Sequence, residues 1–164
     1  MDREDAFRWL FATEYQGVVR TVWLVIRDKH RAEDIAQEAF VQLLRKWDKI
    51  GTYESPEAWV RKVAVRAAIR AAKRDRGIAE REVRLLREES ITPDDGPDPT
   101  VLAAVSSLSP QQRSVVVLFY FEDRPMAEIA DILGCSASTG WVHLHRARRR
   151  LAGLLGEEVP SDVG

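Results

Sequence analysis

Side chains suited to nucleic-acid contact are concentrated between residues 136 and 150. The four basic residues that follow Arg124 all lie at positions 146–150, and no acidic residue occurs from 132 to 156. Hydroxyl, imidazole and guanidinium groups donate to phosphate oxygens and base edges, and apolar groups contact thymine methyls. The segment is a candidate DNA-reading surface, and an ordinary solvated basic face is the alternative. The candidate residues are Ser138, Thr139, Trp141, His143, His145, Arg146, Arg149 and Arg150.

A second basic segment lies in the first half of the chain. Residues 51–77 hold seven basic and three acidic side chains, a net charge of +4, which suits phosphate neutralisation. Near the start of this segment, Tyr53 offers a ring on which an unstacked base could stack, although a loop aromatic can equally serve packing. The candidates here are Tyr53, Trp59, Arg61, Lys62, Arg66, Arg70, Lys73 and Arg74.

The total charge conceals these two segments. The 164 residues carry 25 Lys and Arg against 26 Asp and Glu, a net charge of −1. Residues 1–50 are balanced, whereas residues 78–100 have a net charge of −4 and end in turn-forming Pro, Asp and Gly. The length suits one domain or two small ones. We therefore predict two domains joined by a flexible acidic linker.

Several classes of protein are excluded at this stage. The longest apolar run, residues 115–121, is far shorter than the roughly 20 residues of a membrane span. The N-terminus has no signal-peptide pattern, which predicts a cytoplasmic protein. One cysteine forms no internal disulfide, and no Cys/His spacing indicates a metal site or cofactor. No nucleophile–base pair or phosphate-binding glycine loop indicates an enzyme or a small-molecule substrate.

Helical periodicity runs through the first half. Ser55, Pro56 and Glu57 are typical of a helix start, and Gly77 predicts its end. Three apolar stripes recur at three- and four-residue steps. They comprise Phe7, Leu10, Phe11, Val18, Val22 and Ile26; then Ala32, Ile35, Ala36, Ala39, Phe40, Leu43, Leu44 and Trp47; then Trp59, Val60, Val63, Ala64, Ala67, Ala68 and Ala71.

The second half contains further helix starts and a helix-turn-helix pattern. Asp98-Pro99 and the Ser109-x-x-Gln112 spacing each predict a start. Residues 126–133 form a short apolar helix with Ile129, Ala130 and Leu133 inward. Gly134 then supplies a left-handed stop and Ser136 a new cap. The next helix would bury Leu144, Ala147, Leu151 and Leu154. Residues 115–121 are compatible with a strand by composition, but the capping pattern favours helix. The predicted fold is all-α.

Six motifs in this order resemble the bacterial RNA polymerase sigma factors of the extracytoplasmic-function (ECF) type. The resemblance implies region 2 in residues 1–77, a linker in 78–100, region 4 in 101–156 and a tail in 157–164. The motifs are RAEDIAQEAF at 31–40, PEAW at 56–59, LSPQQR at 108–113, AEIA at 127–130, LGCS at 133–136 and LHRAR at 144–148.

The resemblance implies three partners: core RNA polymerase, promoter DNA and an anti-sigma protein. Glu33, Asp34, Gln37 and Glu38 would dock on polymerase, and a solvated helix face is the alternative. The basic segment with Tyr53 would meet the −10 element, and the helix-turn-helix would read the −35 element. From its net charge of −4, the acidic linker is hypothesised to lie in a basic polymerase channel, and an ordinary solvated linker is the alternative. Catalysis would belong to the polymerase.

Three departures from the family pattern are visible. Arg66 and Arg70 stand where relatives often carry Asn and Asp, which affects −10 preference. Gly140 replaces an apolar residue at a cost of about 1 kcal/mol in a helix interior. Trp141 replaces a lysine, and its indole either packs over Gly140 or reaches a thymine methyl.

A stand-alone helix-turn-helix regulator is the alternative function. It would explain residues 109–155 but would leave the helix at 32–47 and the first basic segment without a role.

Overall fold

The computed structural model describes residues 2–81 and 98–156, and over these ranges the chain forms helices and no strand. The helices are α1 (Arg3–Ile26), α2 (Lys29–Arg45), α3 (Trp47–Ile50), α4 (Pro56–Arg81), α5 (Pro99–Ser106), α6 (Pro110–Val116), a π-helical turn (Val117–Phe121), α7 (Met126–Leu133) and α8 (Ala137–Leu155). The all-α prediction is confirmed. Most of the predicted acidic linker, with its proposed role, lies outside the described residues.

The chain divides into two compact units, Met1–Glu88 and Glu89–Gly164. In the first unit α1, α2 and α4 pack on one another, and fully buried Val18, Leu43 and Val60 come one from each helix. A row of rings, Phe7, Phe11 and Tyr15, runs along α1 at four-residue steps and extends to Phe40 and Trp47. Helical spacing therefore places one face of α1 against its neighbours.

The second unit is built around α8. Helix α8, with buried Leu144 and Ala147, packs with α5, α6 and α7. Ile129 of α7 and Leu118 of the π-helical turn are fully buried in the same unit. The segment at residues 115–121 is helical, as the capping pattern predicted. Its second part is π-helical, with the Glu122 N–H donating to the Val117 carbonyl at 3.1 Å.

The predicted helix starts are confirmed by side-chain caps. The hydroxyl of Ser55 accepts from the Ala58 N–H at 3.1 Å, and that of Ser109 accepts from the Gln112 N–H at 3.2 Å. The carboxylate of Asp98 accepts from the Thr100 N–H at 2.7 Å. Each cap satisfies an N–H that the helix itself leaves unpaired.

Five details of the predicted pattern are wrong. Helix α4 does not end at Gly77 but continues to Arg81, so one glycine is tolerated within it. Trp47 lies in the separate short helix α3, not at the end of α2. Leu44 and Leu154 are exposed, at 56% and 51%, because no element within residues 2–81 and 98–156 covers those helix faces. In α7, Ile132 is buried and Leu133 only half-buried.

Candidate nucleic-acid interface

Six of the seven α4 candidates lie on one face of the helix, which we call the α4 stripe. Their steps of three and four residues place them opposite Val60, Ala64 and Ala68, which are fully buried against α1 and α2. Five cations therefore align along one face of α4, where Arg70, Lys73 and Arg74 are exposed and the other two are half-buried. The α4 stripe consists of Trp59, Lys62, Arg66, Arg70, Lys73 and Arg74.

Arg61 does not belong to this surface, which corrects its assignment to DNA. It lies one residue from Lys62, a 100° rotation that directs it inward, and its exposed fraction is 6%. Its guanidinium forms ion pairs with Glu14 of α1 and Glu57 of α4, both at 3.2 Å, and lies 3.4 Å from the Thr21 hydroxyl. Its charge is used within the protein, since two carboxylates hold it away from solvent.

The loop before α4 presents its aromatic outward. Tyr53 is 42% exposed, so its ring is available for stacking. The neighbouring Thr52 hydroxyl donates to the Lys49 carbonyl at 2.7 Å, which holds the loop against α3. The ammonium of Lys46 lies 5.7 Å from the Trp59 ring centroid. Positive charge and ring faces are therefore combined near the start of α4, as single-strand binding requires.

The acidic α2 candidates lie on the face opposite the buried stripe of that helix. Asp34, Gln37 and Glu38 are exposed and Glu33 is half-buried. The same face continues into Val41 and Leu44, which are 38% and 56% exposed. These two apolar residues were missed by the sequence analysis, although the step from Gln37 to Val41 is one helical turn. We call these six residues the α2 face.

A cleft of about 270 Å³ joins the two helices. It brings Asp34 of the α2 face beside the arginines of the α4 stripe, over a floor of Ile35, Ala67 and Ala71. Arg31 at its rim pairs with Asp75. The predicted polymerase-binding and DNA-binding residues are therefore neighbours. The lining residues are Arg31, Asp34, Ile35, Ala67, Arg70, Ala71 and Arg74.

The helix-turn-helix has the predicted turn. Gly134 adopts φ +73°, the left-handed conformation, and the Ser136 hydroxyl accepts from the Thr139 N–H at 3.1 Å to begin α8. Gly140 is buried, and a Cβ there would stand 2.5 Å from the Met126 sulfur. Gly140 thus leaves room for the buried Met126 side chain between α7 and α8. Met126, rather than the Trp141 indole, occupies the space beside this glycine.

The outer face of α8, which we call the α8 outer face, holds exposed polar and basic residues around one apolar residue. Val142 is 45% exposed and lies one turn from both Ser138 and Arg146. Val142 is not among the residues predicted from the sequence, although the same helical spacing would have identified it. Arg150 is exposed at the edge of this face. The α8 outer face consists of Ser138, Thr139, Val142, Arg146 and Arg149.

Three further α8 candidates are half-buried rather than on the outer face. The Trp141 ring meets Phe119 edge-on with centroids 5.8 Å apart, which favours its packing role. The Nδ1 of His145 is shielded from solvent. Burial lowers the pKa of the His143 imidazole and the positive charge of Arg146 lowers it further, so this group is neutral at pH 7.

No group of three His, Cys, Asp or Glu residues within 2–81 and 98–156 is placed to hold a metal ion. No helix in these ranges is long and apolar enough to span a membrane.

The two units match two family models. Residues 10–78 match Sigma-70 region 2 and residues 100–151 match Sigma-70, region 4. Among solved structures, the co-crystal of the sigma factor RpoE with the anti-sigma factor NepR from Bartonella quintana contains a similar chain. The TM-score is 0.74 at 21% identity, covering 92% of this chain and 96% of that one, which shows a shared fold.

Curated relatives match along most of their length. RNA polymerase sigma factor CarQ of Myxococcus xanthus is 30% identical, covering 94% of this chain and 91% of the relative. RNA polymerase sigma-E factor of Streptomyces antibioticus is 29% identical, covering 88% and 82%. ECF RNA polymerase sigma factor SigX of Bacillus subtilis is 24% identical, covering 97% and 90%. The chain belongs to the ECF-type sigma factors, which direct RNA polymerase to promoters.

Proposed function

We propose that this sigma factor uses three separate surfaces: the α2 face for core polymerase, the α4 stripe with Tyr53 for the −10 element, and the α8 outer face for the −35 element. The observation that carries this division is that each of the three helices buries one side and exposes a chemically distinct one. The division also follows the order of the matched regions 2 and 4.

The composition of the α2 face supports a protein partner. Three exposed polar groups at its N-terminal end, two of them carboxylates, can pair with basic groups, and such charge complementarity sets orientation and association rate. Exposed Val41 and Leu44 supply apolar area at the other end. An apolar centre beside polar groups is typical of protein–protein interfaces.

The α4 stripe supports contact with promoter DNA around an opened strand. Its five cations can neutralise phosphates, whereas Trp59 and exposed Tyr53 offer faces for unstacked bases. Arg61 is left out of this interface because it is buried in ion pairs.

The α8 outer face supports readout of a duplex groove. Ser138 and Thr139, near the helix N-terminus, are suited to base edges, and Val142 to a thymine methyl. Arg146 and Arg149, with Arg150 at the edge, are suited to phosphates. Trp141 is assigned to packing, while His143 and His145 stay at the margin of the interface.

The remaining assignments follow from the family. We propose an anti-sigma protein as regulator, by analogy with the co-crystal relative, and the cytoplasm as the place of action. The chain itself supplies no catalysis, which belongs to polymerase. The acidic segment 78–100 would lie in a basic polymerase channel. A stand-alone regulator is not favoured, because the first unit matches Sigma-70 region 2.

Run-off transcription with purified core polymerase on genomic fragments tests the function. Promoter-specific transcripts that require this chain are expected. With a promoter in hand, Q37A/L44A, which leaves the charge beside Arg70 and Arg74 unaltered, should reduce co-elution with core and leave the intrinsic DNA affinity of the chain unchanged. The matched variant R146Q/R149Q should retain core binding, weaken upstream DNA binding and reduce its salt dependence.

Two outcomes would contradict the proposal. A chain that neither co-elutes with core nor supports a specific transcript would remove the sigma function. Equal losses of core and DNA binding in both double variants, with unchanged circular dichroism, would remove the assignment of separate surfaces.

A further inference from the structure

The π-helical turn carries two aromatic side chains to one flank of α8. Phe119 is half-buried and meets the Tyr120 ring at 5.0 Å and the Trp141 ring at 5.8 Å, both edge-on. Tyr120 is 51% exposed, although it follows Phe119 directly. A π-helical turn holds more residues than an α-helical turn, so it rotates the side chains that follow it.

Arg148 of α8 completes this cluster. Its Nε donates to the Tyr120 hydroxyl at 2.6 Å, and its guanidinium carbon lies 5.6 Å from the ring centroids of both Phe119 and Tyr120. Trp141 and Arg148 are seven residues apart, two helical turns, so both lie on the flank that contacts Phe119. The side chain of Arg148 is therefore directed back onto its own unit.

Its neighbours have the opposite orientation. Arg146, Arg149 and Arg150 are exposed, whereas Arg148 is half-buried. A helical step of 100° separates Arg148 from Arg149, so turning α8 about its axis would bring the Arg148 guanidinium to the outer face in place of that of Arg149. The contacts with Phe119 and Tyr120 oppose such a rotation.

We infer that Arg148 is a positioning residue, which fixes the rotation of α8 about its axis through Tyr120 and Phe119 and does not contact phosphate. The inference rests on the proposed function of the α8 outer face. Phosphate contact is assigned to Arg146, Arg149 and Arg150, whereas Arg148, the remaining arginine of α8, orients the helix. Arg is suited to this task because its planar guanidinium combines ring stacking with a directed hydrogen bond, which the Lys ammonium does not.

The test compares R148Q with R149Q, the same change at adjacent positions. Core polymerase carrying each full-length chain selects from a duplex pool with a randomised upstream element, and affinity for the winning sequence is then measured from 50 to 200 mM salt. R149Q should lower the slope of log affinity against log salt by about one. R148Q should leave that slope unchanged and alter the base preference.

Two further variants keep the test decisive. Y120F removes only the hydroxyl that accepts from Arg148 and should show the same altered base preference as R148Q. The double variant Y120F/R148Q should differ little from either single variant. R148K retains the charge and should not restore selection.

Three results would overturn the inference. The first is that R148Q lowers the salt slope as R149Q does while Y120F selects the same sequences as the wild type. The second is that R148K restores wild-type selection. A wild-type chain that selects no upstream sequence would overturn the proposed role of α8 together with this inference, whereas the other two results leave that role intact.

Discussion

The effect of a single residue on packing in this chain depends on which atoms surround its side-chain position. Gly140 is unfavourable by helix propensity, yet it is buried where a Cβ would stand 2.5 Å from the Met126 sulfur. Gly153, on the same helix, has nothing within 4 Å of the position of a Cβ. The same residue type therefore leaves room for a buried side chain at one position and faces open space at the other.

We predict that G140A destabilises the second unit, whereas G153A stabilises the chain. Alanine gains up to about 1 kcal/mol in an open helix, but overpacking against Met126 costs about 1–3 kcal/mol. Urea unfolding followed by circular dichroism measures both changes. In an M126A background, which removes the sulfur, G140A should become neutral or stabilising. Additive effects of M126A and G140A would contradict the assigned contact.

We predict that His143 reduces stability at acid pH. Its pKa is lower in the folded chain than the ordinary value, so the unfolded chain binds the proton more tightly. The contribution of His143 to the free energy of unfolding is complete above about pH 6.5 and is lost as the pH falls through the folded-state pKa. Urea unfolding at pH 7.5 and pH 5.5 should show a smaller loss in H143Q than in the wild type. Equal losses would contradict the prediction.

At the scale of elements, the helices of each unit are joined by specific polar contacts as well as by apolar packing. Arg61 links α1 to α4 through Glu14 while also pairing with Glu57 on its own helix. Glu14 and Glu57 keep about a quarter of their side-chain surface exposed, so the site is partly hydrated. Removing the guanidinium leaves two carboxylates without this partner in a confined position.

We predict that R61M destabilises the first unit by about 2–4 kcal/mol, less than for a fully dry ion pair because water still reaches both carboxylates. The control R70M, at an exposed position on the α4 stripe, should change stability by less than about 0.5 kcal/mol. In DNA binding the larger effect should come from R70M, which should lower the slope of log affinity against log salt. R61M should leave that slope unchanged. Stability changes of equal size would count against the buried role of Arg61.

At the scale of the whole molecule, the chain consists of two units with separate cores. The net charge of −1 is distributed unevenly, with a positive segment at 51–77 and a negative one at 78–100. Each unit also carries its own proposed DNA-binding surface, the α4 stripe in one and the α8 outer face in the other. We therefore expect folding and DNA contact to be properties of the units rather than of the entire chain.

We predict that residues 1–88 and 89–164 fold as separate fragments. Each should show cooperative thermal unfolding, and their summed circular dichroism should match the full chain, because each core lies within one unit. Calorimetry and circular dichroism on the two fragments provide the measurement. A fragment that is helical only when mixed with the other would contradict independent folding.

The sequence by itself determined the helices, their capped starts and the positions of both basic segments, because these depend on neighbours within a few residues. Tertiary structure decided which side chains remain exposed and therefore available to contact a partner. The periodic pattern placed Leu44 inside and the charge of the basic segment assigned Arg61 to DNA, but the packing of α1, α2 and α4 reversed both. Likewise, only the approach of Phe119 assigns Trp141 to packing, and only Met126 explains Gly140. A helical period specifies the angle of each side chain around its axis, but exposure depends on which part of that circle another element covers.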